Sequence, residues 1–411
     1  MNRIDLVRPD APEFAAFGDH ALGVRTLAFV NPDQLDVIGA LANGGAPRYA
    51  RPLVVEVWYP AAGAAAEPGS QRYDVGTRDP AVRATLRGRA RRDAAPLVEG
   101  APRPLVIVSH GYTGNRFLMA HFGEHLASRG YVVASIDHTD STYADQAAFA
   151  STLLNRPLDQ LFVLEAMAAL AARAGDPLAG IVDASRTAIV GYSMGGYGAI
   201  NAVGGGFSAA SIGYEYAPPN GALRTRQMGE ATYLAGRDDR VRAVVAIGPW
   251  GMEAGFWDAE GLEALSTPML LMAGELDDVS GYERGVHAIF AGARNAERTL
   301  LTFEGANHNA AAPMPVPIEV AHDPRAFEHH ADAVWDTRRM NDVAHHFVAA
   351  FLAIHLRGES ELAAYFDLVE RAVDGVVRLD EGGAPAAGHT HWRGFPARTA
   401  AGLRLERRRP A

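Results

Sequence analysis

From Pro104 onward the chain alternates short apolar runs with stretches of helical period. The runs "LVIVSH" (105–110), "YVVASID" (131–137), "RTAIVGYS" (186–193), "VRAVVAIG" (241–248), "PMLLMAG" (268–274) and "ERTLLTFEG" (297–305) are short and rich in Val, Ile and Leu. That pattern predicts strands buried on both faces. Helical spacing fits 117–129, 157–174, 194–203 and 281–292 between them, and a last amphipathic helix fits Asn341–Gly358. Strand–helix alternation of this kind predicts an α/β protein with a central, mostly parallel sheet flanked by helices. Two further strand-like runs, Gly23–Val30 and Arg51–Pro60, come first, the second with period-two alternation.

Three segments interrupt the alternation. Ala61–Pro104 is rich in Ala, Gly, Pro and Arg and reads as a solvated insertion or a short surface helix. Segments 204–239 and 311–339 are the other two. Residues 1–375 are expected to form one domain carrying these insertions, with 376–411 as an extension packed on it or trailing from it. A long insertion such as 204–239, with Tyr214 and Tyr216, would suit a lid.

Composition narrows the classes. With 48% hydrophobic residues the chain can bury a large core, and a formal charge of −10 argues against a nucleic-acid partner. The absence of cysteine removes disulfides, thiolate metal sites and a cysteine nucleophile. No apolar run reaches membrane-spanning length, and "MNRIDLVRPDAPEFAAFGDH" has no signal-like apolar stretch, so a cytoplasmic protein is expected. The pairs in "EHH" (Glu328–His330) and "AHH" (Ala344–His346) lack the spacing of four that a helical zinc pair needs, and no metal is expected.

In an open parallel sheet, ligands bind beyond the carboxyl ends of the strands. Four such ends carry candidate chemistry. In "AIVGYSMGGYGAI" a strand runs into Gly191-Tyr192-Ser193-Met194-Gly195 and then a helix, which is the setting G-x-S-x-G requires to present a nucleophilic serine. In "LVIVSHGYTGNR" a strand ends at His110, and the backbone N–H of Tyr112 is the candidate partner of the Met194 N–H in holding an oxyanion. In "TPMLLMAGELDDVSG" three carboxylates, Glu275, Asp277 and Asp278, crowd one strand end where a triad acid belongs. In "TFEGANHNAAAP", His308 follows the last core strand on a short polar loop. Serine, acid and histidine thus occur in the order serine–acid–histidine.

These motifs resemble the α/β-hydrolase superfamily over most of Arg51–Gly358. "VEVWYPA", "SHGYTG" and "GYSMGG" are similar to bacterial platelet-activating-factor acetylhydrolase-like and dienelactone-hydrolase-like esterases. "GYTG", "GYSMGG", "ELDDV" and "GANHNA" are similar to cutinases and polyester hydrolases. The resemblance implies an α/β-hydrolase fold and a serine esterase with Ser193, Asp277 and His308 as triad, and Asp278 as the alternative acid. It implies oxyanion N–H groups on Tyr112 and Met194, and a substrate wall from the Tyr112 side chain and Trp250 of "AIGPWGM". The substrate would be a small-molecule or polymeric ester, with no cofactor. An amidase on the same triad, and a non-catalytic binding protein on the same fold, are the competing expectations.

Overall fold

The computed structural model describes residues 1–411, apart from the side chain of Ala235. Its main sheet contains β1 (Leu22–Leu35), β2 (Arg48–Pro60), β5 (Arg103–Ser109), β6 (Val132–Asp137), β7 (Val182–Tyr192), β8 (Val241–Ile247), β9 (Met269–Gly274), β10 (Arg298–Phe303) and β11 (Leu403–Arg408). A separate hairpin pairs β3 (Gln71–Gly76) with β4 (Arg83–Gly88). The sheet order is β11-β10-β9-β8-β7-β5-β6-β2-β1, closed at the β1 edge by the two-residue strand Arg91–Arg92. Neighbours from β6 through β5, β7, β8 and β9 to β10 are parallel, while β2 on β6, β1 on β2, and β11 on β10 are antiparallel.

The apolar runs form strands because both sheet faces are covered. Successive residues of a strand point to opposite faces. Val106, Val108, Val133, Val190, Val245 and Met272 therefore enter one core, with Phe122 of helix α1 (Ala120–Ser128) and Phe347 of helix α5 (Thr337–Leu352). Leu105, Ile107, Ala134, Ile189, Val244 and Leu271 enter the other, with Leu153 and Val163 of helix α2 (Phe149–Ala171) and Ile200 of helix α3 (Met194–Ala202).

Two regions depart from the sequence reading. Ala61–Pro104 is neither a solvated loop nor a helix: it contains the β3–β4 hairpin, whose inward Tyr73, Val75, Ala84 and Leu86 are buried. Trp58 Nε1–H donates to the Tyr73 hydroxyl at 3.0 Å, and that hydroxyl donates to Glu124 at 2.5 Å. Helix α2 starts at Phe149, eight residues before Pro157, which reads from sequence as a helix start. Proline has no N–H for the carbonyl four residues back. Here that carbonyl, on Leu153, accepts instead from the Tyr197 hydroxyl at 2.8 Å. At the chain's end β11 pairs with β10 and gives the sheet an antiparallel edge.

Candidate active site

The turn after β7 is built by its glycines. A Cβ on Gly191 would lie 2.3 Å from the Gly195 carbonyl carbon, and one on Gly195 would lie 2.0 Å from the Ser109 carbonyl oxygen. Ser193 between them sits at φ 52°, ψ −114°, a conformation that an L-residue adopts under strain. Its N–H donates to the Ile247 carbonyl at 2.8 Å, which ties the turn to the end of β8. The Ser193 side chain stands at the N-terminus of α3, where unpaired N–H groups favour negative charge.

His308 lies on the loop after β10 and meets Asp277 from the loop after β9. Its Nδ1 is 2.9 Å and 3.0 Å from the two carboxylate oxygens. Asp277 Oδ1 also accepts from the N–H groups of Val279 and Ser280, at 3.0 and 2.8 Å. The carboxylate is thus held inward, with no exposed side-chain surface, while the His308 side chain keeps 10%. A bound acceptor at Nδ1 places the proton there and leaves Nε2 as the free base. Gly248 passes underneath at φ 49°, and a Cβ there would lie 3.2 Å from both His308 and Asp277. The neighbouring carboxylates differ. Asp278 is exposed, and Glu275 accepts from the Gly305 N–H at 3.0 Å, bracing the loop that carries His308.

Ser193, His308, Tyr112 and Asp278 face one cavity of about 730 Å³. Among the described residues no hydrogen bond joins Ser193 to His308. The backbone N–H groups of Tyr112 and Met194 donate to no protein acceptor among the described residues. The Tyr112 hydroxyl donates to the Ala147 carbonyl at 2.9 Å, and its ring packs edge-on against Phe149 at 5.0 Å. Trp250 is not among the residues lining the cavity. It continues the aromatic row beside it, edge-on to Phe149 at 5.3 Å and next to Tyr214 and Phe256.

Sequence periodicity gave no hint of the cavity's outer walls. One wall is the tip of the β3–β4 hairpin, with Arg78, Asp79 and Pro80. The other is the 311–339 insertion, through His322, the short helix α4 (Pro324–Glu328) and His329. Among the described residues, none of segment 204–239 lines this cavity, and the segment reaches the neighbourhood through Tyr214. Tyr143 and His329 are joined at 2.7 Å between the hydroxyl and Nε2. Burial, then the charges of His330 and Arg78, lowers the His329 pKa to about 3, so its Nε2 accepts the tyrosine proton.

The strand order and the tight turn between β7 and α3 are those of an α/β-hydrolase fold. A family model described as PET hydrolase-like matches residues 97–213, the segment holding Tyr112, Ser193 and Met194. The chain is 26% identical over 206 residues to the Cutinase est2 of Thermobifida alba, covering 50% of this chain and 52% of that protein. It is 38% identical over 95 residues to Cutinase 2 of Thermobifida cellulosilytica, covering 23% of this chain and 32% of the relative. The chain therefore spans about half the length of the first of these cutinases, and less of the second. A solved structure, a ferulic acid esterase from Streptomyces cinnamoneus, superposes with a TM-score of 0.56 at 24% identity, covering 85% of this chain and 94% of that one. The chain is an α/β-hydrolase-fold protein with cutinase- and polyester-hydrolase-like features. No helix among the described residues is long and apolar enough to cross a membrane.

Proposed function

We propose that the protein is a serine hydrolase that cleaves carboxylic esters through an acyl-enzyme. The observation that carries this reading is the Asp277–His308 pair opening onto the cavity that also holds Ser193. His308 Nε2 takes the Ser193 hydroxyl proton as Oγ attacks the ester carbonyl. Asp277 holds Nδ1–H and stabilises the imidazolium that forms. The N–H groups of Tyr112 and Met194 receive the oxyanion; a preorganised donor of this kind is worth roughly 100- to 1,000-fold in rate. His308 then gives its proton to the departing alkoxide. Water, deprotonated by the same nitrogen, releases the acid and restores Ser193. Tyr112 flanks the acyl side, and the aromatic row that ends in Trp250 packs behind its ring rather than facing the substrate.

The test is hydrolysis of p-nitrophenyl esters of increasing acyl length by wild type and Ser193→Ala. Loss of at least 1,000-fold in kcat for the variant is expected, in line with removal of a triad nucleophile. Full activity in Ser193→Ala would remove the reading. The PET hydrolase-like match over 97–213 favours one further substrate class, aromatic polyesters, read as release of terephthalate-type acids from a film. A folded wild-type protein inert toward every ester, and toward a small amide, would leave the fold as a binding protein.

A further inference from the structure

Ser109, His138 and Asp159 form a second serine–histidine–aspartate string. Ser109 Oγ is 2.8 Å from His138 Nε2, and His138 Nδ1 is 3.0 Å from Asp159 Oδ2. All three residues are at most 1% exposed. No substrate can reach that hydroxyl, so the string is not a second active site.

Its proton positions follow from its partners. Asp159 faces the Arg51 guanidinium, with Nε at 2.8 Å and Nη2 at 3.0 Å, and so is an ionised acceptor. His138 must then donate from Nδ1. Burial, followed by the charges of Arg156 and Arg51, keeps this imidazole neutral well below the ordinary histidine range. Its Nε2 is therefore bare and accepts the Ser109 proton. The Ser109 hydroxyl is fixed in direction, and its residue is the last of β5, three before Tyr112.

The same helix that supplies Asp159 holds the rest of the loop. Arg156 of α2 donates to the His110 carbonyl and to Ser141 Oγ. His110 Nδ1–H donates to the Gly111 carbonyl at 2.6 Å, and its Nε2 accepts from the His138 N–H at 3.4 Å. Gln160 Nε2 donates to the Gly195 carbonyl at 2.8 Å, inside the serine turn. Helix α2 thereby grips both the loop carrying Tyr112 and the turn carrying Met194.

We propose that Ser109, His138 and Asp159 are positioning residues that set the spacing of the two oxyanion N–H donors. This rests on the reading of Ser193 as nucleophile and of Tyr112 and Met194 as donors. Catalytic hydrogen bonds lose their effect when displaced by a fraction of an ångström, so loosening this string lowers the rate of the chemical step and spares ground-state binding.

The test uses Ser109→Ala, which removes one buried hydroxyl with little change of volume, beside His138→Gln and Ser109→Thr. Steady-state kinetics on p-nitrophenyl acetate are combined with inhibition by an aryl trifluoromethyl ketone. Ser193 Oγ adds to the ketone carbonyl of that inhibitor, and the resulting hemiketal oxygen occupies the oxyanion position. Ser109→Ala and His138→Gln are expected to lower kcat by about 10- to 100-fold with KM within about threefold, and to weaken the ketone by the same factor as kcat. Ser109→Thr, which keeps a hydroxyl for His138, restores most of both. Wild-type kcat and ketone affinity in folded Ser109→Ala would overturn the inference. So would a fall in thermal stability with no change in either quantity well below the melting temperature. Ser193→Ala separates the two levels of failure: an active Ser193→Ala removes the underlying reading, whereas an inactive Ser193→Ala with a fully active Ser109→Ala removes this inference alone.

Discussion

Acidification should unfold this protein at a pH at which most α/β enzymes remain intact. Burial holds the pKa values of His110, His121, His125, His138, His329, His330, His345 and His346 below the ordinary histidine value of 6.5, to about 4 for His121 and His330 and about 3 for His329 and His346. Between α1 and α5 the rings of His125 and His345 stack at 4.1 Å, with His121 Nδ1 2.8 Å from His345 Nε2, so a proton on one discourages a proton on the others. The folded state keeps these groups neutral; the unfolded chain binds a proton at each as pH falls through 6.5. Stability is therefore fully present above that value and is lost below it. At pH ~5.5 each such histidine costs about 1.4 kcal/mol, and the set together costs roughly 10 kcal/mol, comparable to the whole stability of a typical domain. Asp342 opposes this: burial pushes its carboxyl up to about 7, so protonation of the folded state returns about 2 kcal/mol over the same interval. The expected result is a cooperative loss of far-UV circular dichroism and tryptophan fluorescence with a midpoint between pH ~5 and ~6, with uptake of about seven protons. The urea midpoint should fall steeply as pH is lowered from about 6.5. An unchanged urea midpoint down to pH ~4.5 would refute the reasoning, because it would mean that the histidines protonate in place.

Other outcomes follow from single contacts. Asp342→Asn keeps an acceptor for the Arg8 N–H, which lies 3.0 Å from Asp342 Oδ2, and removes a charge the folded state disfavours. Urea unfolding should show it more stable than wild type by about 4 kcal/mol at pH 8, with the gain shrinking as pH falls below about 7 and gone only below pH ~4, and equal stability at pH 8 would argue against it. Asp277→Asn should cut ester turnover by about 1,000- to 10,000-fold through loss of the His308 tautomer, while Asp278→Asn stays within about threefold; stopped-flow or steady-state kinetics would reverse the assignment if the two effects exchanged. Gly195→Ala forces a methyl to 2.0 Å from the Ser109 carbonyl, and soluble yield and melting temperature should fall sharply. A well-folded, active Gly195→Ala would mean the turn relaxes freely.

Much of the architecture is legible because the parallel strands are buried on both faces and their apolar runs are unbroken. The positions of Ser193 and His308 just after such runs come with that legibility. Tertiary pairing hid the rest. The inward Tyr73, Val75, Ala84 and Leu86 of the β3–β4 hairpin alternate with polar and arginine residues, so the segment looks like a solvated insertion. Helix α2 runs through Pro157 because Tyr197, forty residues later, satisfies the freed Leu153 carbonyl. The choice among Glu275, Asp277 and Asp278 depends on which carboxylate the Val279 and Ser280 N–H groups turn inward, a contact that adjacent identical charges do not reveal. His329 joins the cavity only through the path of the 311–339 insertion, and the Ser109–His138–Asp159 string spans three separate elements.

The claim on which the functional account depends is that Ser193 is a nucleophile activated by His308. It is tested most directly by intact-protein and peptide mass spectrometry after brief exposure to a fluorophosphonate. The account predicts one adduct per chain, mapped to Ser193, formed concurrently with loss of ester hydrolysis and abolished in both Ser193→Ala and folded His308→Ala. An unlabelled Ser193 in active, folded protein, or stoichiometric labelling elsewhere that tracks the loss of activity, would contradict it.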